Sequence, residues 1–177
     1  DSLIVFQKGL TATTVTLNDN AGDASISFSA ENAAGAVAGT IDGAASGEGT
    51  VNVYDADAGA PHLITFSGVI GGTQRLKAIN IGTAALAGAA DFDENVTVAT
   101  LTLLGGNVTA EDTALTNAAA KTIDATTVNV TGGVGANVGN QGGDALATIS
   151  GTLTVGTGGL NITGGEGAAT DAGGAAK

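Results

Sequence analysis

Val, Leu or Ile recurs at every second position, with Thr, Asn or Ala between, in run after run of this chain. Examples are Leu10 to Leu17 (LTATTVTL), Thr50 to Val53 (TVNV), Val96 to Leu103 (VTVATLTL), Thr126 to Thr131 (TTVNVT) and Ser150 to Val155 (SGTLTV). Side chains on a strand point alternately to opposite faces, so each run makes a strand with one buried and one wetted face. Gly, Asn and Asp fill the intervals, as turns require. Helical periodicity is scarce, and the class expected is all-β.

The materials for a core are unusual. Aromatics are 3% of residues, Met, Trp and Cys are absent, and much of the hydrophobic fraction is Ala. Ala gains little on burial, so thin stacked sheets suit the composition better than a bulky enzyme core. The 17 acids face only Lys8, Arg75, Lys77, Lys121 and Lys177, a formal charge of −12. That balance argues against nucleic-acid binding, which needs clustered cations, and against anionic membrane surfaces. It fits solubility, cation binding or a salty exterior. The lack of cysteine is compatible with secretion. Asp1 is acidic and Leu3 to Phe6 is too short for a signal core; no run approaches the roughly 18 apolar residues of a spanning helix. The chain reads as a mature or excised form of something larger, with no membrane insertion.

A single elongated domain over 1–177 is expected, with sub-blocks 1–49 and 50–155 and a Gly/Ala-rich segment 156–177. Strands are expected at Leu3 to Phe6, Leu10 to Leu17, Ser25 to Ser29, Thr50 to Tyr54, His62 to Ile70 and Arg75 to Ile81. Further strands fall at Val96 to Leu104, Asn107 to Thr109, Thr122 to Thr131, Leu146 to Val155 and Leu160 to Thr163. Glu31 to Gly49 reads as loop, with at best a short strand near Val37 or Ile41. Ala84 to Ala90 suits a helical turn or an Ala-rich strand, and Ala114 to Lys121 (ALTNAAAK) is the best helix candidate. Similar runs start near Thr97, Thr122 and Thr148, a spacing typical of stacked units. Four Asn-x-Thr triplets begin at Asn95, Asn107, Asn129 and Asn161. An acid two places before Asn95 makes it the first glycan acceptor to consider.

The phrase from Thr65 to Leu103 (TFSGVIGGTQRLKAINIGTAALAGAADFDENVTVATLTL) resembles the degenerate repeats of large bacterial cell-surface proteins: autotransporter passengers, surface-layer proteins and adhesins. Phe66, Gly68, Ile70, Gly71, Leu76, Ile79, Ile81, Gly82, Phe92, Val96, Val98, Leu101 and Leu103 carry the likeness. It covers about half the chain and is phrase-like. It implies an extracellular or cell-surface β protein.

Catalytic chemistry finds little footing. A Ser-His-Asp arrangement would need His62, the only histidine, with Ser67 as nucleophile and Asp55 or Asp57 as orienter. No Gly-x-Ser-x-Gly elbow surrounds any serine. Paired acids for glycoside cleavage would want an aromatic-lined cleft, and Tyr54 and four Phe are all the chain offers. Calcium is the better-supported cofactor, because hard cations take clustered Asp, Asn and carbonyl oxygens on a turn. The candidate ligands are Asp19 and Asp23, Asp55 and Asp57, and Asp91 and Asp93. The Gly-rich stretches lack a phosphate-loop Lys followed by Ser or Thr and read as turns and tail.

The expected fold is a parallel β-helix or solenoid-like stack, with an antiparallel β-sandwich of a polymerising subunit as the alternative. The expected function is an extracellular structural protein, a self-assembling subunit of a surface layer, filament or adhesin, and not an enzyme. An adhesive or carbohydrate-binding module is the rival, and a glycan-acting enzyme comes third. The expected partners are copies of the same chain, contacted through an assembly strand of Leu3, Ile4, Val5 and Phe6. Four consecutive large apolar residues are a hazard if left uncovered.

Overall fold

The alternating runs become thirteen strands in a computed structural model. It describes all residues except 21, 32, 58–59, 107–110, 136–141 and 166–174. The expected strand at Asn107 to Thr109 lies outside the described residues, as do parts of the Gly132 to Gly143 and 156–177 segments. In chain order the strands are β1 (Ser2–Phe6), β2 (Leu10–Leu17), β3 (Ala24–Phe28), β4 (Gly35–Gly43), β5 (Glu48–Val53), β6 (Leu63–Phe66) and β7 (Leu76–Ile81). Then follow β8 (Ala89–Phe92), β9 (Val96–Leu104), β10 (Thr113–Asn117), β11 (Thr122–Thr131), β12 (Ala145–Ile149) and β13 (Thr152–Thr163). No helix occurs among the described residues.

Odd strands form one sheet, β1-β3-β5-β7-β9-β11-β13, and even strands the other, β12-β10-β8-β6-β4-β2. Each strand therefore pairs with the one two places on, and every pairing between these strands is parallel. That overturns the antiparallel sandwich. Consecutive strands enter different sheets, so no hairpin closes between neighbours, and parallel neighbours need a long crossover. The register advances 22 residues from Ser2 to Ala24 but 32 from Thr127 to Gly159, so the repeat is uneven. Isolated parallel bridges link Ile41 to Ile70 and Ile70 to Val96, joining β4 of the even sheet to β9 of the odd one.

Register puts like on like. Ile4, Ile26, Val51, Ile79, Leu101, Val128 and Leu160 form one column of the odd sheet. Its five middle members are buried. A second column runs through Phe28, Val53, Ile81, Leu103 and Val130, all buried. Between the sheets the four phenylalanines stack in series. Phe6 lies on Phe28 at 5.8 Å, Phe28 meets Phe66 edge-on at 5.4 Å, and Phe66 meets Phe92 at 5.3 Å. Aromatic scarcity is thus concentrated in one ladder, where each ring gains both burial and ring contacts.

Four local expectations are corrected or resolved. Glu31 to Gly49 contains β4, nine residues long. Its glycines hide the strand signal, yet Gly39 turns at φ +110°, and a Cβ at Gly35 would lie 1.4 Å from the Lys8 carbonyl oxygen. Pairing on both sides and burial of Val37 and Ile41 outweigh the poor propensity. Ala114 to Lys121 is not a helix. β10 covers Thr113–Asn117, held between β8 and β12 with Leu115 inside, and Ala120 turns at φ 65°. A helix that short has no means to stand alone, whereas a strand there completes the sheet. Leu146 to Val155 divides into β12 and β13, in different sheets. Asn117 accepts the Ser150 and Gly151 N–H groups at the break, at 3.0 and 3.3 Å. Ala84 to Ala90 resolves the same way: Thr83 Oγ1 accepts the Leu86 N–H at 2.9 Å in a turn, and strand begins only at Ala89.

Candidate functional site

The acidic turns are built separately. At the first, Asp19 Oδ1 accepts the Ala24 N–H at 2.8 Å and Asp1 Oδ1 accepts the Asp23 N–H at 3.2 Å. Asp23 pairs with Lys77. The hydrogen bond from the Lys77 ammonium, then its charge, holds the Asp23 carboxyl below the usual carboxylate range; the same bond raises Lys77. Asp1, Asn18, Asp19, Asn20 and Asp23 line an open cleft of about 280 Å³. At the third turn Asp91 Oδ1 accepts from the Thr116 hydroxyl at 2.7 Å, and Asp93 is exposed. Neighbouring Glu94 pairs with Lys121 at 2.6 Å. Asn95 is exposed, and its side-chain oxygen accepts the Thr122 N–H at 2.9 Å.

Asp55, Asp57 and His62 converge, with ligand-capable atoms within 4.8 Å of one another. Asp55 follows β5 and is 1% exposed. Its Oδ1 accepts the Asp57 N–H at 2.9 Å; its Oδ2 accepts the His62 N–H at 2.6 Å and lies 2.8 Å from His62 Nδ1. Ala87 O accepts the Asp55 N–H at 2.8 Å. This carboxylate closes the β5–β6 loop by satisfying several donors at once, which is what a buried charge needs. Ser67 completes no triad with that pair: its hydroxyl donates to the Val37 carbonyl at 3.3 Å.

A row of polar side chains stands on the outer face of the odd sheet. Ser27, Asn52, Asn80, Thr102, Asn129 and Asn161 share one register column. Asn80 donates to Asn52 at 2.9 Å, Asn52 to Ser27 at 3.3 Å and Asn161 to Asn129 at 2.9 Å. The signal was in the sequence as VNV, INI, VNV and LNI; reading Asn129 and Asn161 only as triplet starts concealed it. Ser27, Asn52, Asn80, Thr102 and Tyr54 border a groove of about 450 Å³ on this face.

Among the described residues no strand covers the columns at their ends. β1 pairs with β3 of its own sheet and has no partner on its other edge among the described residues, and β13 is the opposite edge. The expected assembly strand is therefore integrated, yet Leu3 is 61% and Ile4 60% exposed; Val5 is also exposed, and Phe6 is half-buried against Phe28. At the far end Leu160 is 49% and Ile162 56% exposed. There Val128, Val130, Ala147, Ile149, Leu153 and Leu160 surround an apolar hollow of about 180 Å³. Beyond β12, Ala175 to Lys177 add a short parallel edge: Ala145 N–H donates to Ala175 O at 2.7 Å and Ala147 N–H to Lys177 O at 2.9 Å. Asp144 fastens it, accepting the Ala175 N–H and the Lys177 ammonium at 2.6 Å each. The Lys177 bond first, then the Ala175 N–H, holds the Asp144 carboxyl low, and Asp144 raises Lys177.

Comparison with known proteins finds no matching family model, no matching curated protein and no matching solved structure. No helix among the described residues is long and apolar enough to cross a membrane.

Proposed function

We propose that the two sheets are walls of one coiled β-solenoid, and that the coil is a self-assembling structural element of a bacterial cell surface. The observation that carries this is the in-register column stack, continuous from Ile4 to Leu160, with no covering strand at either end among the described residues. The Ile41–Ile70–Val96 bridges supply a third side on which the chain passes from the even sheet back to the odd one. Stacked units of this kind are stabilised mainly by nearest neighbours and need their ends covered. The resemblance of Thr65 to Leu103 to surface-protein repeats, the absence of cysteine and the −12 charge favour an extracellular setting. Ser67 donates to a backbone carbonyl and not to His62, so the one histidine has no serine nucleophile among the contacts described above, and a structural rather than catalytic role fits the residues. Calcium would act as a counter-ion, with the cleft of Asp1, Asp19 and Asp23 one place that offers oxygen ligands.

Electron microscopy and sedimentation of the purified chain test this. Rod-like particles that lengthen with concentration are expected. Compact monomers at every concentration would remove the assembly role.

A second reading, a glycan-binding module, is favoured by one feature: the groove beside Tyr54, with neutral amides and hydroxyls at its floor and an aromatic ring at its rim. Its test is calorimetric titration of oligosaccharides, with Tyr54→Ala abolishing the heat of binding; no heat with the parent chain would remove this reading.

A further inference from the structure

We propose that β13 of one copy receives β1 of the next in parallel, so that copies join head to tail and the columns run on without a break. This rests on the self-assembly reading above and adds the acceptor edge, the polarity and the register.

Register decides which residues would meet. In the odd sheet each column begins on β1 and ends on β13: Ile4 with Leu160, and Val5 with Asn161. A second copy placed one strand spacing beyond β13 therefore sets Ile4 over Leu160 and, two residues along, Phe6 over Ile162. All are column positions whose equivalents one layer inward, Ile26, Phe28, Val128 and Val130, are buried. The third side is one layer shallower. Val15, Ile41, Ile70, Val96, Ile123 and Leu153 form one continuous series through β2, β4, β9, β11 and β13. That series has six members against seven in the Ile4–Leu160 column, so the displacement that seats Ile4 on Leu160 leaves Val15 two strand spacings, not one, beyond Leu153. The docking operation is therefore set by the odd sheet, whose depth of seven layers the even sheet matches with its six strands and the Ala175 to Lys177 edge.

Charge supports a second copy as the occupant. In a chain of net charge −12, the strands Ser2–Phe6, Leu10–Leu17 and Thr152–Thr163 contain no charged residue, and the one cation of the Ala175 to Lys177 edge, Lys177, is paired with Asp144. Exposed parallel edges are ordinarily guarded by Lys, Pro or inward charge; these are not. Both edges run in the same direction, so the contact is between unlike ends. A contact between unlike surfaces leaves one of each free and propagates, giving an open filament rather than a closed dimer.

The outer-face pair Val5 and Asn161 provides the test, since the chain has no cysteine of its own. In the proposed register their Cα atoms lie about 4.8 Å apart, within disulfide reach of about 4.4–6.8 Å. V5C and N161C are made as separate single variants and as a double variant, and oxidised gently. The double variant should give a covalent ladder of multimers, the mixed single variants should give heterodimers, and each single variant alone should stay monomeric on a denaturing gel. V5C with T163C, displaced by two residues to about 8 Å, should cross-link at least tenfold more slowly. Ile162→Lys, at an exposed position, should abolish assembly while circular dichroism and melting stay as in the parent. If V5C alone dimerises faster than the mixture, the ends meet like to like and the proposal is overturned. If particles still lengthen but no V5C–N161C link forms, the register is wrong while the self-assembly reading stands. Monomers throughout, with the ends left to further chain or another partner, would overturn both.

Discussion

Phe66→Ala should be a severe change to the interior ladder, and Phe6→Ala a mild one. Phe66 is 1% exposed and touches two rings, Phe28 at 5.4 Å edge-on and Phe92 at 5.3 Å. Removing a fully buried ring costs about 3–5 kcal/mol in lost transfer and residual cavity. Each aromatic pair adds about 0.5–1.5 kcal/mol beyond area, so the upper half of that range is expected here. Neighbouring strands are fixed by parallel pairing on both sides of β6, which limits collapse into the hole. Phe6 is only half-buried and has one ring neighbour, Phe28. Its truncation should cost about 1–2 kcal/mol, the value of partial burial. Against a typical total of about 5–15 kcal/mol, Phe66→Ala removes a large share. Urea unfolding followed by circular dichroism measures both. An unchanged slope with denaturant shows that the stack still unfolds as one unit, and a shallower slope shows that it breaks at β6. A Phe66→Ala cost below about 1 kcal/mol, or one no larger than that of Phe6→Ala, refutes the continuous aromatic ladder.

Asp55→Ala leaves the Asp57 and His62 N–H groups without their acceptor and should lower stability by about 1–3 kcal/mol; a thermal melt matching the parent would show that the loop holds without it. The edge formed by Ala175 to Lys177 should loosen in acid. Asp144 is held low in the folded chain, so its contribution is present above the usual aspartate value of about 3.9 and is lost as pH falls through the lowered folded value. Protection of the Ala147 amide against exchange, normalised to intrinsic rate, should fall there while Ile79 stays protected; equal behaviour of the two amides, or no effect of Asp144→Ala, would end that account. Millimolar calcium should raise the melting temperature or lengthen particles relative to chelator by offsetting the −12 charge, and identical curves in both media would dispose of the calcium proposal.

Strand positions with strong alternation were legible because one face must be buried. Val96–Leu104 and Thr122–Thr131 fall where the pattern places them. Misreadings share a cause. In β4, Gly35 and Gly39 replace the expected side chains because neighbouring backbone approaches too closely for a Cβ; local propensity therefore points away from the strand that tertiary pairing enforces. In β10, Ala114 is acceptable on a strand only because its neighbours on both sides are already in place. The uneven repeat had a similar effect: β11 pairs Thr122 with Thr152, not with Thr148, because β12 and its turn are interposed. Of the six proposed acidic ligands, Asp55 and Asp57 come together, and they do so with His62. A turn composition of D-x-D names the acids but not the histidine that folds back from five residues beyond Asp57.

The placement of charge connects fold to assembly. Acids and cations sit in turns and on outer faces, where Asp23 meets Lys77, Glu94 meets Lys121 and Asp124 meets Arg75 across layers. Exposed pairs of this kind add little stability. Together with the unpaired excess of negative charge, they make side-by-side contact between copies unfavourable at low salt. The outer row of Asn52, Asn80 and Asn129 is already hydrogen-bonded in part to itself, which lowers its need for another protein surface. What remains is the axis of the stack, where the apolar columns stop on β1 and β13, two strands without charged residues. Growth along that axis should therefore persist at low ionic strength, whereas lateral bundling should appear only as added salt shortens the screening length. Bundles at low salt that disperse on adding salt would mean that opposite charges, not the uncharged ends, hold copies together.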